Sequence, residues 1–394
     1  ISLSNCDLMI IRKILSLSLC SLVHFSPVDS FHSLNVHSKQ ASILRNTIPN
    51  INSSFHRPFG MSTICSMASS SSSSSLWDVI SSDLSNALGR SVRIVPSTTS
   101  GGMAGGSGAT TRIVQEEIDS HHDNQETPTR YFVKLGPLSL LMAEFSGVKE
   151  LASSQTIRVP TPFCVGAQDG SRENSSNTNN KRGYAVFEYL TFTSNRSGSD
   201  WELGVQLAKL HRTISSNGFG FHVDTTIGAT PQSNLPWNED WADFWDTNRL
   251  QPMLEWTYDA GYDEDTIMKL RTKTKQLLSS SSSYPPVPSL LHGDLWGGNK
   301  GFIQEGNGSA ASVVPVIYDP ATYYGDREAD IAMTYLFGGF GPDFYKGYES
   351  EWPLPEGHEK RRTIYNLYHI LNHEVLFGGY LGQARSMIQQ ILRY

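Results

Sequence analysis

Three oxygen-bearing side chains in the last third of the chain could do chemistry together. They sit in two strings, Leu290-Leu-His-Gly-Asp-Leu-Trp-Gly-Gly-Asn-Lys300 and Pro315-Val-Ile-Tyr-Asp319-Pro320. Asp294 and Asn299 are five apart on a glycine-rich loop, and Asp319 ends the second string. Between them, Gly301-Phe-Ile303 and Val313 to Tyr318 flank a Gly/Asn/Ser-rich stretch. That pattern predicts a hairpin, which would return Asp319 to the neighbourhood of Asn299. A carboxylate, an amide oxygen and a second carboxylate are hard donors of the kind Mg²⁺ takes, with water and phosphate oxygens completing its shell. No thiolate stands nearby to favour a softer metal.

The elements that must position this set divide the body in two. Leu76 to Leu88 has apolar residues at helical spacing, ended by Gly89. Val92–Val95, Thr111–Val114, Tyr131–Lys134 and Tyr184–Leu190 read as strands, with Leu138 to Leu151 as one helix among them. Val159-Pro-Thr-Pro-Phe163 is extended because of its prolines. From Trp201 onward helices dominate, the first carrying Leu203, Leu207 and Leu210 on one face and ending at His211-Arg212. Trp237, Trp241 and Trp245 recur every four residues, the spacing of a buried helix face.

The H-x-D-x-x-x-x-N spacing of His292-Gly293-Asp294-Leu295-Trp296-Gly297-Gly298-Asn299, followed by an Asp at a strand end, is the protein-kinase catalytic signature. Its His-Gly-Asp form resembles the small-molecule branch, with aminoglycoside phosphotransferases and choline kinases. Within that branch the chain most resembles the fructosamine/ketosamine 3-kinase family. The resemblance rests on the His292–Asn299 string, on Asp319-Pro-Ala-Thr-Tyr-Tyr-Gly-Asp-Arg-Glu-Ala-Asp-Ile-Ala-Met333, on Phe337-Gly-Gly-Phe340, and on the Phe219–Gln232 stretch. It covers roughly Leu76 to Tyr394.

The resemblance implies an α+β, protein-kinase-like bilobal fold. A small N-lobe (76–190) would hold an antiparallel sheet and one helix, and a larger, mainly helical C-lobe (191–394) would carry catalysis. It implies ATP and Mg²⁺ between the lobes, with Asp294 handling the proton of the attacking hydroxyl and Asn299 and Asp319 holding the metal. Lys134 would bind phosphate and pair with Glu144, for which Glu150 is a rival. Glu188 and Leu190 would bond adenine from the interlobe hinge. Trp296 would wall the sugar, against core packing as the plain alternative. His292 and Asp330 would support the loop, and His211 would be a packed or capping residue. The substrates implied are protein-bound or small ketosamines, ribulosamines and erythrulosamines foremost, whose 3-phosphates fall apart and free the amine. A kinase of another small hydroxyl compound and a non-catalytic ATP-binding protein remain as alternatives. The Gly101–Gly108 run is longer than the family's usual turn, and no Cys lies between Cys65 and Cys164 to provide the redox-active residue some plant relatives carry there.

Composition narrows the rest. With 31 Lys+Arg against 38 Asp+Glu the chain lacks the basic surplus of a nucleic-acid-coating protein. No apolar run is long enough to span a bilayer, and the body's one cysteine, Cys164, permits no internal disulfide. Residues 1–75 differ in kind: 21 Ser, five Lys/Arg and only Asp7 and Asp29 as acids. A Ser-rich, Arg-bearing, acid-poor leader is the composition of an organelle transit peptide, ending in the linker Ser69–Ser75. The expectation is a plastid stromal protein, with the cytoplasm as alternative, and a monomer or weak dimer that binds neither nucleic acid nor membrane.

Overall fold

Alternation of side chains along one central strand decides where the first functional residue points. The computed structural model describes residues 75–97, 103–104, 109–117, 128–170, 181–194, 198–281, 283–306 and 311–394. The leader through residue 74 and all of the Gly-rich run but Met103–Ala104 lie outside them. Helix α1 (Leu76–Leu88) opens with a capping box between Ser75 and Asp78 and ends at Gly89 in the left-handed region. Strands β1 (Ile94–Pro96), β2 (Met103–Ala104), β3 (Thr110–Glu116), β4 (Arg130–Pro137), β5 (Pro162–Ala167) and β6 (Arg182–Glu188) form an antiparallel sheet. Its order is β1-β3-β4-β6-β5, with β2 paired to β3. On β4, Tyr131 and Val133 face a core shared with Ile80 and Leu84 of α1. The period of two therefore sends Phe132 and Lys134 to the opposite face, where both line a cavity.

Helix α2 (Leu138–Ser153) follows β4 without a loop. Its buried Leu141, Val148 and Leu151 belong to the large cluster formed by the second half of the chain. At about 1.5–3 kcal/mol per buried aliphatic side chain, these three residues attach α2 to that half. Ser74–Tyr394 accordingly forms a single compact unit.

The second half begins with α3 (Ser199–His211), then the short hairpin β7 (Thr225–Ile227) and β8 (Thr230–Gln232). Helix α4 (Trp241–Trp245) runs through a π turn at Asp246–Leu250 into α5 (Gln251–Trp256), followed by α6 (Glu264–Leu278). Strand β9 (Ser289–Leu291) pairs β12 (Tyr323–Gly325), and between them β10 (Lys300–Glu305) pairs β11 (Ser312–Ile317). Helices α7 (Glu328–Leu336), α8 (Pro342–Glu351), α9 (His358–Phe377) and α10 (Leu381–Arg393) complete it. Trp241 and Trp245 are buried as their spacing suggests. Trp237 is not on that helix: Asp240 caps its start, and Asn238 is already in an extended bridge with Phe219. Among the described residues no helix is long and apolar enough to cross a membrane.

Candidate active site

The β10/β11 hairpin builds the centre of the site. Its register pairs Lys300 with Ile317, so the next residues outward are Asn299 and Tyr318, joined by the Tyr318 N–H to the Asn299 carbonyl at 3.0 Å. Asp319 follows at φ 56, the left-handed region that Asp tolerates better than most residues. The Asn299 amide nitrogen donates to the Asp294 carbonyl (2.8 Å), the Asp294 carboxylate (3.3 Å) and the Asp319 carbonyl (3.4 Å). One amide thus ties both carboxylate residues together.

Lys134 reaches the same point from the sheet. Its Nζ lies 2.5 Å from Glu144 Oε1 of α2 and 2.8 Å from Asp319 Oδ1. Burial alone would lower the lysine's pKa, but the Glu144 and Asp319 carboxylates outweigh it and raise the value above that of a free lysine. The ammonium stays charged in a nearly solvent-free position.

Asp294 is the counterpart case. Burial pushes its pKa up to about 7, the Asn299 hydrogen bond works against that, and the Asp319 and Asp330 charges add to it. Its loop is held from below. The buried Asp330 carboxylate on α7 accepts the backbone N–H groups of His292 (2.7 Å) and Gly293 (2.8 Å), with His211 Nε2 at 3.2 Å. His211 in turn places Nδ1 2.8 Å from the Tyr348 hydroxyl, so it is a packed link between helices. The His292 ring bonds the Tyr318 carbonyl through Nε2 (2.9 Å) and accepts the Asp294 N–H through Nδ1 (3.3 Å). Both of its nitrogens are spent on the loop.

Gly293 sits at φ 83, and a Cβ there would fall 2.1 Å from the Ala321 carbonyl oxygen. Any side chain must push the Asp294 loop away from the segment that carries Asp319. Gly293→Ala is expected to lower kcat at least tenfold and to cost about 2 kcal/mol of stability. Steady-state kinetics with a denaturant titration of the same variant check both numbers.

These residues open on a cavity of about 250 Å³. Lys134, Glu144, Asp294, Trp296, Asn299 and Asp319 all line it, as do Thr225, Thr226 and Gly228 of the β7/β8 turn and Pro320 and Ala321. Trp296 is 42% exposed, which sets core packing aside for it. The Thr225–Gly228 wall was not assigned a role from sequence, although the Phe219–Gln232 stretch had been singled out; two three-residue strands give too short a pattern to place. Glu188 and Leu190 lie apart, and neither is among the residues lining this cavity. The Glu188 N–H bonds the Thr161 carbonyl at 2.9 Å, and its carboxylate takes Arg158 (2.5 Å) and Thr161. Arg158 also reaches Glu305 of β10 at 2.8 Å, tying the end of β6 to the second half.

The donors suit a divalent ion. Among the described residues the Asn299 nitrogen makes all of that side chain's hydrogen bonds, leaving its oxygen without one, and Asp319 uses only one carboxylate oxygen, on Lys134. Among the described residues no cluster of three or more His, Cys, Asp or Glu makes a complete metal cage. One carboxylate and one amide oxygen, with the rest of the shell left to phosphate and water, is how Mg²⁺ is held in phosphoryl-transfer sites.

The small sheet carries both α1 and α2, one helix more than the resemblance implies for it; with the helical second half and the cleft between them it defines a protein-kinase-like phosphotransferase fold. A crystal structure from Thermobifida fusca, provisionally named fructosamine-3-kinase, shares that fold at 24% identity and a TM-score of 0.59. Another from Haemophilus somnus, also provisionally named fructosamine-3-kinase, has a TM-score of 0.64 at 28% identity, covering 80% of this chain and 97% of that one. The family described as fructosamine kinase matches residues 77–394, and the chain belongs to it. A Synechocystis protein named probable ketoamine kinase is 44% identical over 67% of this chain and 83% of its own length. The chloroplastic protein-ribulosamine 3-kinase of Arabidopsis thaliana is 38% identical over 70% of this chain and 79% of its own. Membership makes the chain a kinase that uses ATP and a divalent metal.

Proposed function

We propose that this protein is an ATP- and Mg²⁺-dependent ketosamine 3-kinase that phosphorylates the 3-hydroxyl of protein-bound ribulosamines and erythrulosamines and so starts their removal from lysine. The observation that carries the reading is the meeting of Lys134, Asp294, Asn299 and Asp319 at one cavity. A carboxylate whose pKa is about 7 suits proton uptake from an alcohol near neutrality.

Each residue has a task. Asp294 orients the attacking hydroxyl and takes its proton. Asn299 and Asp319 hold the metal, which when bound neutralises charge on the phosphates. Lys134, kept in place by Glu144, would bind the phosphate oxygens. Trp296 offers its exposed face to the sugar. Asp330 and His292 keep the loop from shifting, and in a loose transition state such positioning does most of the work. Glu188 and Leu190 would meet adenine through backbone groups farther along the cleft.

The acid-poor leader, and the chloroplastic name of the Arabidopsis relative, support a plastid setting, where sugar phosphates glycate proteins quickly. The test is a panel of ribulosyl-, erythrulosyl- and fructosyl-lysine alongside choline and an aminoglycoside, read by radiolabelled phosphate. Transfer to the ribulosyl and erythrulosyl compounds ahead of the fructosyl one is expected. Transfer to choline or the aminoglycoside and to no ketosamine would replace this reading with a kinase of another small alcohol.

A further inference from the structure

Glu144, Gly147 and Glu150 follow one another at three-residue intervals on α2, the spacing of neighbours along a helix surface. The row faces the segment that leaves Asp319. Glu144 reaches Asp319 through the shared Lys134 ammonium. Gly147 approaches so closely that a Cβ there would stand 2.9 Å from the Thr322 hydroxyl oxygen and 3.9 Å from Pro320. The Glu150 carboxylate accepts a hydrogen bond from the Tyr324 hydroxyl at 2.7 Å. Tyr324 is itself 8% exposed. Its N–H and carbonyl are both spent on Gly220, at 2.7 and 2.9 Å. Thr322 is fully buried, and its hydroxyl has no hydrogen-bond partner among the described residues. Helix and segment therefore meet in three successive rungs, and the apolar side of α2 is already packed into the C-lobe core through Leu141, Val148 and Leu151.

We infer that Glu150 and Tyr324 are positioning residues for Lys134: their hydrogen bond, with the Gly147–Thr322 contact, locks α2 to the Asp319–Tyr324 segment so that Glu144 holds the ammonium at the phosphate site. The helix that carries the lysine's partner is thus docked by the fold itself, with no added group needed to swing it in. The inference rests on the reading of Lys134 as the phosphate ligand. It also gives the second carboxylate of the helix a task distinct from that of Glu144.

The test uses the full chain and measures the affinity for a magnesium-bound non-hydrolysable ATP analogue by calorimetry, together with kcat/KM. Glu150→Ala and Tyr324→Phe are each expected to weaken both by roughly five- to tenfold, the size of one hydrogen bond. The double variant should lose no more than either single one. Glu150→Gln, which keeps the acceptor oxygen, should stay within twofold of wild type. In a Lys134→Met chain, adding Glu150→Ala should change nucleotide affinity no further, whereas a purely structural loss would persist there. Wild-type values in Glu150→Ala, or additive losses in the double variant, overturn the inference and leave the site reading standing. An unchanged nucleotide affinity in Lys134→Met alone removes both.

Discussion

Asp294→Asn is expected to abolish phosphate transfer and at the same time to make the protein harder to unfold. The loss should be roughly a hundred- to ten-thousand-fold in kcat, the range for removing a positioned general base, while the magnesium–nucleotide complex still binds. The gain follows from linkage. Burial holds the Asp294 carboxyl at about 7 in the fold against an ordinary value of 3.8. Between those two values the folded state binds more protons than the unfolded one, so this group's contribution to stability falls as pH rises through that window. Below it the carboxyl is neutral in both states and the penalty is absent; above about 7 the penalty is complete. Asparagine carries no charge at any pH. The variant should therefore match wild type near pH 4 and exceed it by about 2–4 kcal/mol at pH 8, measured without metal or nucleotide. Equal denaturation curves at pH 8 would contradict the desolvated, destabilising carboxylate.

Asp319→Asn acts through the metal. Wild-type Asp319 offers a carboxylate oxygen beyond the one on Lys134, and Asn299 an amide oxygen with no hydrogen bond among the described residues. Converting the charged donor to an amide should weaken the magnesium–nucleotide complex roughly tenfold or more and cut kcat by about a hundredfold. Without metal the effect should vanish, because Lys134 keeps its Glu144 partner. Calorimetry with and without Mg²⁺ separates the two conditions. An equal loss in both would mean that Asp319 serves Lys134 rather than a cation.

What could be read from the sequence follows the distance over which its signals act. The approach of Asn299 and Asp319 was legible because one hairpin with strong β-formers on both arms joins them. The Lys134–Glu144 pair came with the resemblance, and Glu150 stood as a rival until the passage of β4 straight into α2 put Glu144 on the ammonium. The bracing of His292 and Gly293 by Asp330 came only with the resemblance, since a bond across 38 residues depends on how α7 packs. The β7/β8 wall was not legible, because Thr225–Ile227 and Thr230–Gln232 carry too few alternations to declare themselves. Nor was the task of Glu150, which depends on where Tyr324 lies 174 residues away.

The most direct test is phosphorus NMR of the wild-type protein with ATP, Mg²⁺ and ribulosyl-lysine. The predicted result is a new phosphomonoester signal coupled to the proton on carbon 3 that gives way to inorganic phosphate as the adduct falls apart, both absent when the metal is chelated and absent with Asp294→Asn. Nucleotide that binds normally with no phosphomonoester on any ketosamine, or one on a different carbon, would contradict it.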